Sequence, residues 1–196
     1  MLCVIVIFSV IFHFFREKMD MFFEVVNTVF LTYDGLRDAQ NALFIRDVRR
    51  FIDTHPATRD YGVVVLKQRH LSRLSRLRTC IILKEGPRPG SLGHFVLLYV
   101  DRGQEPECPT IYFMDSMSEG MNGHILKYII RHSTWSDIVT NRVLFQEPGT
   151  VTCGYWCLFI LIKFIRGVRF DLIQSIYGFS RIHGYGDLDM IQDLRI

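Results

Sequence analysis

Gln146-Glu-Pro-Gly-Thr-Val-Thr-Cys153-Gly-Tyr-Trp-Cys157 runs directly into Leu158-Phe-Ile-Leu-Ile162, and this change of character decides the architecture. The first half carries turn formers. The second is apolar all round, which a helix tolerates only when it is buried on every side. Cys153 therefore opens a central helix. Upstream, Phe95 to Val100 is continuously apolar, as expected of a strand covered on both faces. Ile111 to Met114 reads as its antiparallel partner, joined to it through residues 102–109, rich in Gly, Pro and Glu. Val63 to Leu66 and Thr79 to Lys84 read as further strands, and Val143 to Phe145 as a third core strand. Apolar residues at 36, 39, 43, 44, 48 and 51 predict an amphipathic helix over 36–51, ended by Thr54-His-Pro56. Further helices are expected over Glu119 to Arg131, Asp171 to Tyr177 and Asp187 to Leu194, the last two opened by an aspartate that complements the N-terminal dipole. Residues 135–141 carry no clear period. The sum is an α+β chain: a central mixed sheet packed against the Cys153 helix, with flanking helices.

The chain has 196 residues, 49% hydrophobic and 22% charged, which fits a globular chain with a substantial core and excludes a disordered one. One domain is expected over residues 19–196. Residues 1–15 are almost uniformly apolar, yet shorter than the ~20 residues a membrane span needs. They lack the positive leading region and small-residue cleavage site of a secretory signal. A membrane-contacting anchor, a buried element and a translated leader are the three readings. The leader is preferred, because Met19-Asp-Met21 follows the charged Arg16-Glu-Lys18, so residues 1–18 stay outside the catalytic argument. Five cysteines include one close pair, Cys153 and Cys157, with no second pair of ligands, so no metal site is expected. The odd count points to a reducing compartment. Net charge is only +3, but Arg73, Arg76 and Arg78 cluster. Such a cluster is either a solvated basic face or a surface that attracts nucleic acid or another polyanion.

Four residues fall at the ends of their elements in an order that suits thiol chemistry: His94, Asp115, Gln146 and Cys153. If the 94–101 and 110–115 strands pair about a loop centred near 104–105, facing positions sum to about 209, and His94 meets Asp115. An Asp at that distance holds one ring nitrogen and leaves the other for a reacting group. At a helix N-terminus, unpaired N–H groups and the dipole stabilise negative charge on the Cys153 sulfur. The Cys153 N–H and the Gln146 amide are placed to receive a developing oxyanion. Gly93 beside the histidine and Gly154 after the cysteine leave room for a substrate backbone. Each residue has an ordinary explanation as well: a packed cysteine, a strand-end histidine, a turn-forming aspartate, a solvated glutamine. Their joint order favours the chemical one.

At Gly-His94-Phe-Val-Leu-Leu-Tyr-Val-Asp101, Tyr-Phe-Met-Asp115-Ser, Gln146 and Cys153-Gly-Tyr-Trp-Cys-Leu-Phe-Ile-Leu161, the chain resembles the adenovirus endopeptidase family. It looks closer still to that family's relatives in adenovirus-like viruses and large self-synthesising DNA transposons. The resemblance covers about residues 78–175. It implies a papain-like fold of the adenain type, and a monomeric cysteine endopeptidase with His94, Asp115 and Cys153 as catalytic residues and Gln146 as oxyanion donor. It also implies cleavage of viral structural precursors, in the host-cell interior with the nucleus foremost, and in the virion. No cofactor is implied for the chemistry, but activation by DNA or a viral peptide is. Two departures matter. Phe95 stands where the family usually has Trp, and residues 116–145 contain no cysteine to tether an activating peptide. A deconjugating protease of ubiquitin-like or SUMO-type substrates shares the His, Asp, Gln, Cys order and is the first alternative. A catalytically silent structural, membrane-linked or polyanion-binding protein is the second.

Overall fold

The structure, a computed structural model, describes residues 42–86, 93–103, 108–133, 136–147, 149–178 and 186–194. Its sheet runs from one edge to the other in chain order. Val64–Lys67 (β1) lies parallel to Cys80–Lys84 (β2), which pairs antiparallel with His94–Asp101 (β3) from Cys80 opposite Leu98 to Lys84 opposite His94. Thr110–Met114 (β4) returns antiparallel on the far side of β3, and Ile138–Thr140 (β5) closes the order β1-β2-β3-β4-β5 in parallel with β4. The described α-helices are Ile45–Thr54 (α1), Gly123–His132 (α2), Cys153–Ile165 (α3), Phe170–Ile173 (α4), which continues as a π-helical turn over Gln174–Gly178, and Asp187–Leu194 (α5). This is the α+β, papain-like arrangement expected from the sequence.

The alternation of β3 divides the interior. Phe95, Leu97 and Tyr99 pack into the core that contains α3, whereas Val96, Leu98 and Val100 face a second core with Ile125, Tyr128 and Ile129 of α2. Every residue from Cys153 to Ile162 is buried. Each large apolar side chain so enclosed contributes roughly 1.5–3 kcal/mol over an exposed one, which makes α3 the anchor of the fold. Its N-terminus is thereby held at one end of β3.

Several boundaries differ from expectation for identifiable reasons. The β3–β4 register sums to 211, from Leu97 opposite Met114 to Asp101 opposite Thr110, not 209. A slip of two residues preserves the face of every side chain, so His94 and Asp115 remain on one face but become diagonal neighbours. Val143 to Phe145 is not a strand. Asn141 Nδ2 donates to the carbonyls of Asp115 and Val143, and the Phe145 and Gln146 N–H groups bond Ser116 O, so the chain turns away from the sheet after β5. That short strand arises instead in the region without a clear period. The second expected helix starts at Gly123 rather than Glu119. Asn122 caps it by accepting from the His124 and Ile125 N–H groups, after Ser118 and Gly120 adopt positive φ. Residues 42–44 of the first expected helix are not helical, and Asp47 accepts the Phe44 N–H at the start of α1. The remainder of that helix, 36–41, and the apolar 1–15 lie outside the described residues. No described helix is long and apolar enough to cross a membrane.

Candidate active site

The end of β3 where His94 sits faces the N-terminus of α3. Diagonal neighbours across a sheet lie about 7–8 Å apart, so the far nitrogen of the imidazole is the one able to reach Asp115. His94 Nε2 lies 2.7 Å from Asp115 Oδ1, which also accepts the Met117 N–H at 3.0 Å. Asp115 takes Nε2 and leaves Nδ1 for a reacting group; Cys153 lines the same cleft as His94, and its sulfur meets the backbone N–H of the next residue, Phe95. Burial disfavours an imidazolium here, but the bond to Asp115, the contact with Cys153 and their negative charges outweigh it and bring His94 up to about 9. Burial likewise pushes the Asp115 carboxyl up. His94, Lys84 and the Met117 N–H overcome that and hold it below the usual carboxylate range.

Cys153 is the first residue of α3, and its Sγ accepts the Phe95 N–H at 3.4 Å. It lines a cleft of about 470 Å³ together with Gly93, His94, Met117, Gln146 and Val151. Leu43, Phe44, Leu83 and Phe95 give that cleft an apolar wall. Gln146 is buried, with its amide fixed at both ends: Ser116 Oγ donates to Oε1 at 2.8 Å, and Nε2 donates to Thr150 O at 2.6 Å. An amide nitrogen carries two hydrogens, so this bonding leaves one N–H for the cleft. Cys157, one turn further on, is sealed in the core, and burial pushes its thiol well above the ordinary range. Burial similarly pushes Cys80 up to about 12.

No model of a known protein family matches the chain, and no curated protein matches its sequence. Solved structures do match. The pS273R protease of ASFV superimposes with a TM-score of 0.56 at 12% identity, over 81% of this chain and 68% of that one. Its selenomethionine form gives 0.58, also at 12% identity, over 81% and 69%. The chain shares the fold of that protease. A SUMO protease, Ulp1 with its catalytic cysteine oxidised to a sulfenic acid, aligns over 85% of both chains at 14% identity with a TM-score of 0.46.

The structure thus gathers His94, Gln146 and Cys153 around one cleft, with Asp115 buried against His94. The two glycines divide. Gly93 lines the cleft, and a Cβ there would lie 2.6 Å from Leu83 Cδ1 and 2.8 Å from Lys84 O, so β2 requires the missing side chain. Gly154 faces inward, where a Cβ would meet Leu43 and the Phe95 ring at 3.2–3.3 Å. Its small size serves packing rather than substrate access. Sequence reasoning missed Lys84, whose Nζ lies 3.2 Å from Asp115 Oδ2. It also missed Asn141, whose Oδ1 accepts the Asp115 N–H, and Ser116, Thr150 and Asp187, which hold the Gln146–Cys153 loop. Among the described residues, no group of three or more His, Cys, Asp or Glu is placed to hold a metal.

At the other end of β3 a larger cleft of about 810 Å³ contains Arg76 and Arg78, joined by Arg102 and Arg131, which the sequence did not single out. Arg73 does not line it. Arg78 donates to Gly62 O and Arg102 to Leu77 O, so both also brace the loops that form the rim.

Proposed function

We propose that the chain is a cysteine endopeptidase that processes viral structural precursors, in the host-cell interior, the nucleus foremost, and in the virion. One observation carries this reading: the 2.7 Å contact of His94 Nε2 with Asp115 Oδ1, in a cleft that His94 shares with Cys153 at the start of a buried helix. The shared fold with a viral protease and the motif resemblance support the substrate class. Cys153 transfers its proton to His94 Nδ1, and the thiolate attacks the scissile carbonyl carbon. The carbonyl electron pair moves onto oxygen, where the free Gln146 N–H and the first-turn N–H groups of α3 stabilise it. As the C–N bond breaks, His94 returns the proton to the leaving amine, giving an acyl thioester. Water, deprotonated by His94, then cleaves the thioester and regenerates the thiol. Asp115 keeps the ring oriented and stabilises the imidazolium.

The test is alkylation of the cysteines by iodoacetamide at pH 6, where an ordinary thiol, titrating near 8.5, is largely unreactive. Cys153 is 7% exposed and Cys108 is exposed, so access alone favours Cys108. The expected result is faster labelling of Cys153, lost in His94→Ala. Labelling no faster than Cys108, with and without added DNA, refutes the reading. Cleavage of precursor-type peptides as against ubiquitin-like fusions then separates the maturation enzyme from a deconjugating one.

The arginine cleft favours a second role: a docking surface for a polyanion, DNA included, as activator. It lies roughly 20 Å along β3 from His94 at ~3.3 Å per residue, too far to touch a scissile bond. His132 also lines it, with a buried Nε2 lacking a hydrogen-bond partner among the described residues. Binding of a labelled DNA duplex should weaken steeply with salt and fall in Arg76→Ala and Arg131→Ala. Salt-insensitive binding, or none, discards this role.

A further inference from the structure

The geometry points to Asp187 as the positioning residue of the oxyanion site, an inference that rests on the hydrolytic reading above. Asp187 opens α5 and is 4% exposed. Its Oδ2 accepts from the Thr150 and Thr152 hydroxyls, each at 2.6 Å, and its Oδ1 accepts from Trp156 Nε1 at 2.8 Å and the Glu147 N–H at 3.4 Å. A buried carboxylate is costly unless several donors satisfy it. Here all four donors come from the segment that begins just after Gln146 and ends in the first turn of α3.

Two consequences follow from where those donors sit. Thr150, held through its side chain by Asp187, uses its backbone carbonyl to hold Gln146 Nε2, so the carboxylate fixes the amide through one intermediate residue. Thr152 occupies the N-cap of α3, where a threonine hydroxyl ordinarily bonds an N–H of the first turn. Its hydroxyl goes to Asp187 instead and makes no cap bond to the helix. The dipole end of α3 is thereby kept open toward the cleft beside Cys153. Asp187 itself is held by a rigid element, since Met190, Ile191 and Leu194 of α5 pack into the core around α3.

Two reactions of Cys153 separate positioning from general integrity. Iodoacetamide alkylates sulfur by displacement and develops no oxyanion. p-Nitrophenyl acetate acylates it through a tetrahedral oxyanion and releases nitrophenolate. The ratio of the two rates, with Cys153→Ala as background, is measured in the full chain for Asp187→Ala, Asp187→Asn, Thr150→Val and the Asp187→Ala/Thr150→Val double variant. Loss of one oxyanion donor costs ~10²–10³ and a misplacement near 1 Å ~10², so the ratio should fall at least tenfold in Asp187→Ala. Alkylation should stay within about twofold, because nothing in that reaction uses the amide. Asp187→Asn, which keeps one carbonyl acceptor, should recover part of the loss. The double variant should be no worse than Asp187→Ala, since the two residues act as one unit. Should Asp187→Ala fail to fold, Thr150→Val alone carries the test, with the ratio again expected to fall. An unchanged ratio in whichever of the two is folded, or both rates falling in step, overturns the positioning role. Wild-type Cys153 acylating no faster than Cys108 overturns the hydrolytic reading instead, and this inference with it.

Discussion

Lys84 Nζ lies 3.2 Å from Asp115 Oδ2, on the opposite carboxylate oxygen from His94, and Lys84 is also the residue that faces His94 across the β2–β3 register. Asp115 is 1% exposed, so two cations share a carboxylate that water barely reaches. Lys84→Met removes one of the groups that hold Asp115 below the usual carboxylate range. The acid limb of the Cys153 acylation profile should therefore move toward neutral pH, while the alkaline limb stays in place. An acid limb that does not move would show that Lys84 serves only its other partner, Glu119, at 3.2 Å.

Asp115→Asn should act on the alkaline limb. The Asp115 carboxylate is the first of the groups that raise His94 against its burial, so without it the imidazole falls from about 9. At pH 8 acylation should drop by ~10²–10⁴, the range for losing a positioned acid–base group. The same pair contributes stability. A folded value of about 9 against 6.5 unfolded means that this contribution is complete below pH 6.5 and is lost as the pH rises through 9. Wild-type denaturation midpoints should fall across that window, and those of Asp115→Asn should fall less. Parallel curves would contradict the assignment.

His55 has the opposite sign. It is 1% exposed, stacks on Phe51 at 4.9 Å, and its Nδ1 accepts the Ala57 N–H. Burial, aided by Arg166, lowers it to about 4. The unfolded chain protonates His55 near 6.5 while the folded one does not, so stability drains away as the pH falls from 6.5 to 4. At 1.36 kcal/mol per unit this is of order 3 kcal/mol. His55→Asn keeps an acceptor for Ala57 but cannot titrate, so its stability should decline less between those pH values. Urea midpoints at pH 7 and pH 4.5 for the two proteins decide it.

What could be read from the chain, and what could not, follows from range. The His94–Asp115 placement survived a wrong register because a strand's period is two and the slip was two. The buried helix after Cys153 was legible because ten successive buried residues leave an unmistakable apolar run. Val143 to Phe145 misled for the complementary reason: three apolar residues look like a strand, and the side chain that diverts them, Asn141, carries no periodic signal. Lys84, Ser116 and Asp187 were invisible in the same way. Each reaches the cleft through a polar contact distant in sequence, and only the folded chain brings such partners together.

The two glycines near the cleft make a paired prediction. A Cβ at Gly93 would press on Leu83 Cδ1, which can rotate away, and on Lys84 O, which cannot, because it belongs to β2. Relief requires β3 to shift against β2 where Lys84 faces His94, so Gly93→Ala should cost ~1–3 kcal/mol, the usual range for overpacking. Catalysis should suffer with it, since the shift moves the imidazole. At Gly154 the contacts are longer, 3.2–3.3 Å, and fall on the Leu43 side chain and the Phe95 ring, which can yield by a few tenths of an ångström. Gly154→Ala also gains the higher helix propensity of alanine, worth up to ~1 kcal/mol. It should therefore be the milder substitution in both denaturation midpoint and Cys153 acylation. The reverse order would place the critical contact of this site between α3 and Phe95 rather than between β2 and β3.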